Sequence, residues 1–155
     1  MKTEIVDATS ALDFDVARVL FREYSETLGV SLCFQGFEQE LQSLDQMYVP
    51  PAGALLLLRS GKEFAGCVGL RKLGDECEMK RLYVKEALRG NGWGRRLAEA
   101  IADRARLLGY RRLYLDTLPQ MTAARALYQD MGFETTAPYY MNPVEGVAYM
   151  VKPLA

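Results

Sequence analysis

Glu78-Met79-Lys80-Arg81-Leu82-Tyr83-Val84, then Lys85 to Leu88, then Arg89-Gly90-Asn91-Gly92-Trp93-Gly94-Arg95, is the stretch from which the fold is read. It has the form of a strand, a short turn, a glycine-rich loop and the first turn of a helix. From Trp93 to Leu108 the apolar residues Leu97, Ala98, Ile101, Ala102, Ala105 and Leu108 recur at helical spacing, with Arg95, Arg96, Glu99, Asp103, Arg104 and Arg106 between them. Gly109 stops that helix. Arg111-Arg112-Leu113-Tyr114-Leu115-Asp116 then reads as a further strand. Strand, helix and strand at this spacing form a βαβ unit, so the two strands are expected to run parallel with a right-handed crossover.

Working outward, Lys2 to Ala8 reads as a first strand with Ile5 and Val6 inward. Asp13 to Leu28 reads as an amphipathic helix whose apolar face is Val16, Val19, Leu20, Tyr24 and Leu28, ended by Gly29. Val30 to Gly36 is expected to be loop. Phe37 to Gln46 is a short helix with Phe37, Leu41 and Leu44 inward, closed by Pro50-Pro51.

Gly53 to Arg59 is a strand whose all-apolar run implies burial on both faces. Ser60-Gly61-Lys62 is a hairpin turn, and Phe64 to Leu73 is the next strand, with Gly66 and Gly69 inside it. Gly74-Asp75 turns into the strand that carries Glu78. After the βαβ unit come a helix at Thr122 to Met131, a strand at Phe133 to Ala137, a loop at Tyr139 to Pro143, and a last strand at Gly146 to Lys152. With 155 residues and no internal repeat or linker, the chain is read as one domain spanning 1–155.

Composition excludes several classes. Half the residues are hydrophobic and a quarter charged, with a formal net charge of −1, so nothing marks the surface for nucleic acid or an anionic membrane. The apolar run Ala54-Leu55-Leu56-Leu57-Leu58 is far too short to span a bilayer, and Met1-Lys2-Thr3-Glu4 holds no signal-peptide core. Cys33, Cys67 and Cys77 have no metal-ligand spacing and leave one thiol over in any disulfide scheme, which points to a reducing cytoplasmic setting. Histidine is absent, which removes the commonest general base and metal ligand. No metal is expected.

The glycine loop is suited to an anion. Glycines at 90, 92 and 94 remove the Cβ atoms that would hold a ligand off the backbone. Successive N–H groups can then converge at the positive end of a helix, with Arg89, Arg95 and Arg96 adding charge. A tight strand-to-helix turn would also use these glycines. A dinucleotide fingerprint would need G-x-G-x-x-G, and the spacing here is G-x-G-x-G.

Arg89-Gly90-Asn91-Gly92-Trp93-Gly94 also meets the pattern Arg/Gln-x-x-Gly-x-Gly/Ala. About thirty residues later, Ala123-Ala124-Arg125-Ala126-Leu127-Tyr128-Gln129-Asp130-Met131-Gly132-Phe133 meets the pattern A-x-x-L-Y-x-x-x-G-F. With both motifs in this order, the chain resembles the GNAT superfamily of N-acetyltransferases over Ala54 to Phe133. The resemblance implies a mixed α/β fold. It would have a central sheet of about six to seven strands, antiparallel at the N-terminal side with a parallel βαβ unit, flanked by about four helices. It also implies acetyl-CoA as co-substrate and an amine, small molecule or peptide, as acceptor. A homodimer fits that fold.

By the same resemblance, Arg89, Gly90, Asn91, Gly92, Trp93, Gly94 and Arg95 would hold the pyrophosphate. Leu82, Tyr83 and Val84 would meet the pantetheine arm in a gap between splayed strands, with a backbone N–H near Leu82 facing the thioester oxygen, and Ala124 would touch the coenzyme from the next helix. Glu78, eleven residues before Arg89, occupies the offset of a catalytic glutamate found in some members, which accepts the amine proton through water. Its other reading is a solvent-facing glutamate paired with Lys80. Glu76 is a weaker candidate. Tyr128 is the candidate acid for the leaving thiolate, against a reading as a core aromatic.

One departure stands out: many members carry asparagine where Met121 stands, leaving Asp116, Thr117 and Thr122 as the nearest polar substitutes. An acylated-thiol route through Cys67 or Cys77 lacks an activating histidine. Phe34, Tyr48, Tyr139 and Tyr140 are candidates for an acceptor pocket or for packing. A non-catalytic acyl-CoA-binding module is the alternative function.

Overall fold

The structure, a computed structural model, describes residues 2–29, 32 and 36–154. In chain order the elements are β1 (Thr3–Asp7), α1 (Ala11–Thr27), α2 (Phe37–Gln42), α3 (Leu44–Met47), β2 (Ala54–Ser60), β3 (Glu63–Leu73), β4 (Glu76–Val84), α4 (Trp93–Leu107), β5 (Arg112–Thr117), α5 (Thr122–Asp130), β6 (Glu134–Thr136) and β7 (Ala148–Pro153). A 3₁₀ turn, Glu86–Leu88, joins β4 to the glycine loop. The seven strands form one sheet in the order β1-β2-β3-β4-β5-β7-β6. β4 and β5 pair in parallel and every other neighbouring pair is antiparallel. This is the mixed sheet expected around the βαβ unit. Among the described residues no helix is long and apolar enough to cross a membrane.

The sheet is buried on both faces, and β2 shows how. Leu56 and Leu58 join α4, through Leu97 and Ile101, in one core. Leu55 and Leu57 join α1 to α3 in the other. The continuous leucine run is therefore two alternating sets with period two.

α1 opens on a capping box. The Ser10 Oγ accepts from the Asp13 N–H at 3.1 Å, and the Asp13 carboxylate accepts from the Ser10 N–H at 3.1 Å. Its buried face is Phe14, Ala17, Leu20 and Phe21, with Leu28 just beyond, while Val19 is 57 % exposed. Of the expected face, Leu20 and Leu28 are buried and Val16 and Tyr24 pack against the same core, so only Val19 falls outside it, and Phe14, Ala17 and Phe21 complete it. The two phenylalanines bury more apolar surface than the valines, and they set the direction in which the helix faces the sheet. The helix expected over 37–46 is two, because the backbone turns out of helical geometry at Ser43. Among the described residues five helices flank the sheet, where about four were expected. The expected loop at 30–36, with Cys33 and Phe34, lies largely outside the described residues.

Two irregularities position the site. In the β3–β4 ladder Cys67 faces Tyr83 and Gly69 faces Lys80, so Arg81 and Leu82 together oppose Val68. This is a β-bulge. Arg81 sits in the left-handed region there, with φ 60°. In the β4–β5 ladder the pairs are Cys77 with Leu113 and Glu78 with Tyr114. Beyond Glu78 the two strands part, while β5 stays paired with β7 from Arg112 to Thr117. The parting leaves a gap in the middle of the sheet.

Candidate active site

The gap opens onto a groove of about 380 Å³ between β4, the glycine loop and α5. Of the residues expected to hold the coenzyme, Leu82, Tyr83, Val84, Arg89, Gly90, Gly92, Trp93, Gly94 and Ala124 line it. Local geometry explains why. Gly92 caps α4 with φ 80°, and the Arg96 N–H is bonded to the Gly92 carbonyl at 3.1 Å. The N–H groups of the first turn therefore have no helical partner and point out of the helix end. No acidic side chain occupies that turn, so the helix end keeps its positive potential. Gly94 needs no special φ, and a Cβ there would meet nothing within 4 Å. Its missing side chain leaves room on the groove wall.

Arg89 donates from Nε to the Val84 carbonyl at 2.8 Å, which fixes its guanidinium beside β4. Trp93 packs on the core while lining the groove, with the Arg96 guanidinium 4.2 Å over its ring. Two expected coenzyme residues do not line the groove. The Asn91 side chain donates to the Leu88 and Arg89 carbonyls and shapes the loop. Arg95 is ion-paired with Asp130, and with Glu99 at 3.4 Å, which turns its charge toward α5. Arg125 donates to the Gly146 carbonyl at 2.6 Å and ties α5 to the segment before β7.

A narrow slot of about 40 Å³ continues inward from the groove, sharing Tyr24, Leu82 and Met121 with it. Its walls include Lys80 from β4, Leu115, Asp116 and Thr117 from β5, and Tyr128 from α5. Tyr128 is buried edge-on to Phe133 at 5.7 Å, and burial drives its phenol pKa far up, so it stays protonated. The Thr117 Oγ1 is buried and has no hydrogen-bond partner among the described residues. An orphan hydroxyl in a slot wall fits a ligand that brings its own amide groups, as a pantetheine arm does.

Behind the slot, on the sheet face covered by α1 to α3, lies a cluster of charges. Glu78 is 1 % exposed. Its Oε1 accepts from the Arg71 Nε at 3.0 Å and its Oε2 from the Tyr139 hydroxyl at 2.6 Å, with the Lys80 Nζ 3.8 Å away. The solvent-facing reading of Glu78 is corrected: the strand places it inside, where only a network of partners makes a charge tolerable. Glu78 is not among the slot-lining residues; Lys80 and Asp116 are. The Lys80 Nζ lies 3.9 Å from the Asp116 Oδ1, and the Asp116 Oδ2 accepts the Tyr140 hydroxyl. Burial lowers the Lys80 pKa, although Glu78 pulls the other way. Tyr139 and Tyr140 pack their rings against Tyr149 at 5.3 and 5.5 Å and spend their hydroxyls on the two carboxylates.

A second buried network holds the bulge. Arg81 donates from Nε and Nη2 to Glu40 at 3.1 and 2.7 Å, and the Tyr48 hydroxyl donates to the same carboxylate at 2.9 Å. Gly69 admits Tyr48: a Cβ there would lie 2.6 Å from its ring. Tyr48 is thus a strut and not a pocket wall. Burial opposes the Glu40 charge, but the Arg81 hydrogen bonds and charge outweigh it and the Glu40 pKa ends low. No pattern in the sequence announces this pairing. Glu76 accepts from the Arg111 and Arg112 N–H groups at 3.2 Å each and serves the entry to β5. Burial raises both described thiols, Cys77 to about 12, so neither is poised as a nucleophile.

A mixed sheet split beside a glycine-capped helix, with a groove leading into the split, is the arrangement that the sequence resemblance implies. The sequence model of the Acetyltransferase (GNAT) family matches residues 18–133. An uncharacterised N-acetyltransferase of Schizosaccharomyces pombe is 40 % identical over 141 residues, covering 89 % of this chain and 86 % of that one. A GNAT-family acetyltransferase of Staphylococcus aureus superposes with TM-score 0.81 at 15 % identity, over 99 % of this chain and 100 % of that one. The PaiA N-acetyltransferase of Thermoplasma acidophilum, in complex with coenzyme A, superposes with TM-score 0.73 at 15 % identity, over 99 % of each chain. The chain belongs to the GNAT acetyltransferase family, and it is an acetyltransferase.

Proposed function

We propose that the protein is an acetyl-CoA-dependent N-acetyltransferase that transfers acetyl directly to a primary amine, small molecule or peptide, in a ternary complex. The observation that carries this reading is continuity: the groove walled by the glycine loop runs into the slot at the split of β4 and β5. The related PaiA N-acetyltransferase was solved with coenzyme A bound, which supports the same occupant here.

When bound, acetyl-CoA supplies an activated acyl carbon as a thioester. The bare amides of residues 90 to 95 bind its diphosphate, and Thr117 offers its orphan hydroxyl to the arm. A β4 amide at the bulge, near Leu82, stabilises charge that develops on the thioester oxygen. Tyr128 donates a proton at the sulfur. The amine's proton leaves through the carboxylate cluster to which Glu78 belongs, in which the Lys80 ammonium lies between Glu78 and Asp116.

Two measurements test this. Coenzyme A is expected to raise the melting temperature, since a ligand at a hundred times its Kd adds about 2.7 kcal/mol. An amine panel with acetyl-CoA and free-thiol detection is expected to show turnover. No thermal shift at millimolar coenzyme would count against the reading, and coenzyme binding with no turnover on any amine would favour a non-catalytic binding module.

A further inference from the structure

Of the charged side chains behind the slot, Glu40, Glu78, Lys80, Arg81 and Asp116 are turned inward, with at most 11 % of each side chain exposed. Arg71 keeps 30 %. It stands in the wall of a second cavity, of about 410 Å³, between β3 and the helices α2 and α3. The other polar groups described in that wall are Gln39, Glu40, Ser43 and Gln46. Glu40 is already held there by Arg81 and Tyr48. Among the described lining residues, the charge left for an incoming group is therefore the Arg71 guanidinium. Beside it stand two neutral amides and a hydroxyl, all able to donate.

The way Arg71 is paired leaves its outer edge unused. Arg81 spends both Nε and Nη2 on the two oxygens of Glu40, at 3.1 and 2.7 Å. Arg71 gives Glu78 its Nε alone, at 3.0 Å, and the second Glu78 oxygen is taken by the Tyr139 hydroxyl at 2.6 Å. The Arg71 Nη1 and Nη2 groups have no hydrogen-bond partner among the described residues. The end-on edge of a guanidinium matches the two oxygens of a carboxylate, and a lysine would offer no such fork.

Resting on the acetyltransferase reading above, we infer that Arg71 binds the acceptor: the edge formed by its Nη1 and Nη2 groups holds a carboxylate, so the acceptor is an amino acid. Its position suits the task. Glu78 alone stands between this arginine and the slot, with the Arg71 Nε on one oxygen and the Lys80 Nζ, in the slot wall, 3.8 Å from the other. Glu40 of the cavity and Arg81 of the slot meet in the same way, at 2.7 Å. A ligand held at Arg71 is thus one side chain from the place where the thioester is delivered, and a short carbon chain between carboxylate and amine covers that separation. A carboxylate leaving water needs a cation and further donors to replace its hydration. Arg71 supplies the first, and Gln39, Ser43 and Gln46 supply the second.

The test uses the full chain with acetyl-CoA and matched probes: glycine against methylamine, β-alanine against ethylamine, and γ-aminobutyrate against n-propylamine. The members of each pair share the amine and its chain and differ by the carboxylate. In wild type at least one amino acid is expected to exceed its partner by about tenfold or more in kcat/KM, and to bind the coenzyme-A-loaded protein more tightly in calorimetric titration. Arg71→Gln is expected to cut that ratio by about fivefold or more, with the Kd for coenzyme A unchanged within about twofold. An arginine that served only to hold Glu78 would lower both members of a pair alike and leave the ratio where it was. Because the Gln variant strands a buried carboxylate and can fail to fold, Arg71→Lys is the second variant. It keeps the charge beside Glu78 but loses the fork, and a ratio cut by about threefold or more supports the assignment. An advantage below about tenfold in every wild-type pair, or a smaller change of ratio in a folded variant, overturns the assignment and leaves the acetyltransferase reading standing. Wild type that binds coenzyme A but neither binds nor acetylates any of these amino acids also overturns it. Failure to bind coenzyme A would instead sink the acetyltransferase reading.

Discussion

The two ends of the slot are built by opposite means. On the coenzyme side the working parts are main-chain groups: helix-end amides, a glycine that withholds a Cβ, and the edge of a parted strand. Nothing there is deeply buried and no charge must be neutralised. On the acceptor side the working parts are acidic and basic side chains taken out of water, Arg71, Glu78, Lys80 and Asp116 in one network and Arg81 with Glu40 in a second. Backbone sites cost little stability and tolerate change at their rim. A buried charge network is unforgiving, because removing one member strands another.

Substitutions can break or sharpen that contrast. The largest effect is expected from Arg81→Ala, which leaves Glu40 without its bidentate partner. Both side chains are at most 3 % exposed. Chemical denaturation should show a loss of about 3–5 kcal/mol. The same pair gives a pH signature. The Glu40 pKa is depressed in the folded state from its usual 4.5. Its contribution is therefore present above that usual value and is lost as pH falls through the folded value. Melting temperatures recorded downward from about pH 6 should fall below about pH 4.5, with Glu40→Gln less stable at pH 6 and flatter in its descent.

Next is Glu78→Gln, which weakens the hold on Arg71 and Lys80. It is expected to lower kcat about 100-fold with the coenzyme Kd unchanged; a coenzyme defect instead would dissolve the distinction between the two sides. Tyr128→Phe is expected to slow kcat about tenfold, less than the roughly 100-fold or more usual for a general acid, because a thiolate leaves readily. The smallest effect belongs to the coenzyme side. Gly94→Ala puts a methyl group into the groove wall, which should weaken coenzyme A by about 1 kcal/mol, roughly fivefold. Its melting temperature without ligand should not fall.

That contrast also governs what the sequence discloses. The coenzyme side is local: a strand, a loop and a helix start lie within Glu78 to Arg95, and glycine spacing with helical periodicity exposes them directly. The element order and the parallel β4–β5 pair followed from the same periodicities. The acceptor side is assembled across long separations. Glu40 meets Arg81 forty-one residues away, and Glu78 meets Tyr139 sixty-one residues away. No spacing rule links such residues, since tertiary packing alone brings them together. Glu78 could thus be singled out while its burial, Arg71 and Tyr139 could not. Arg95 shows a local limit: the loop pattern places it, but Asp130 from the next helix claims its charge. On α1 the expected face held except at Val19, and Phe14, Ala17 and Phe21 widen it.

The central claim is that main-chain amides of the glycine loop grip the coenzyme. Titrating ¹⁵N-labelled protein with coenzyme A and following the amide resonances tests it most directly. The amides of Gly92, Trp93 and Gly94 are expected to shift most, with the acceptor-side amide of Glu40 nearly still. Saturable binding that left those loop amides unmoved would contradict it.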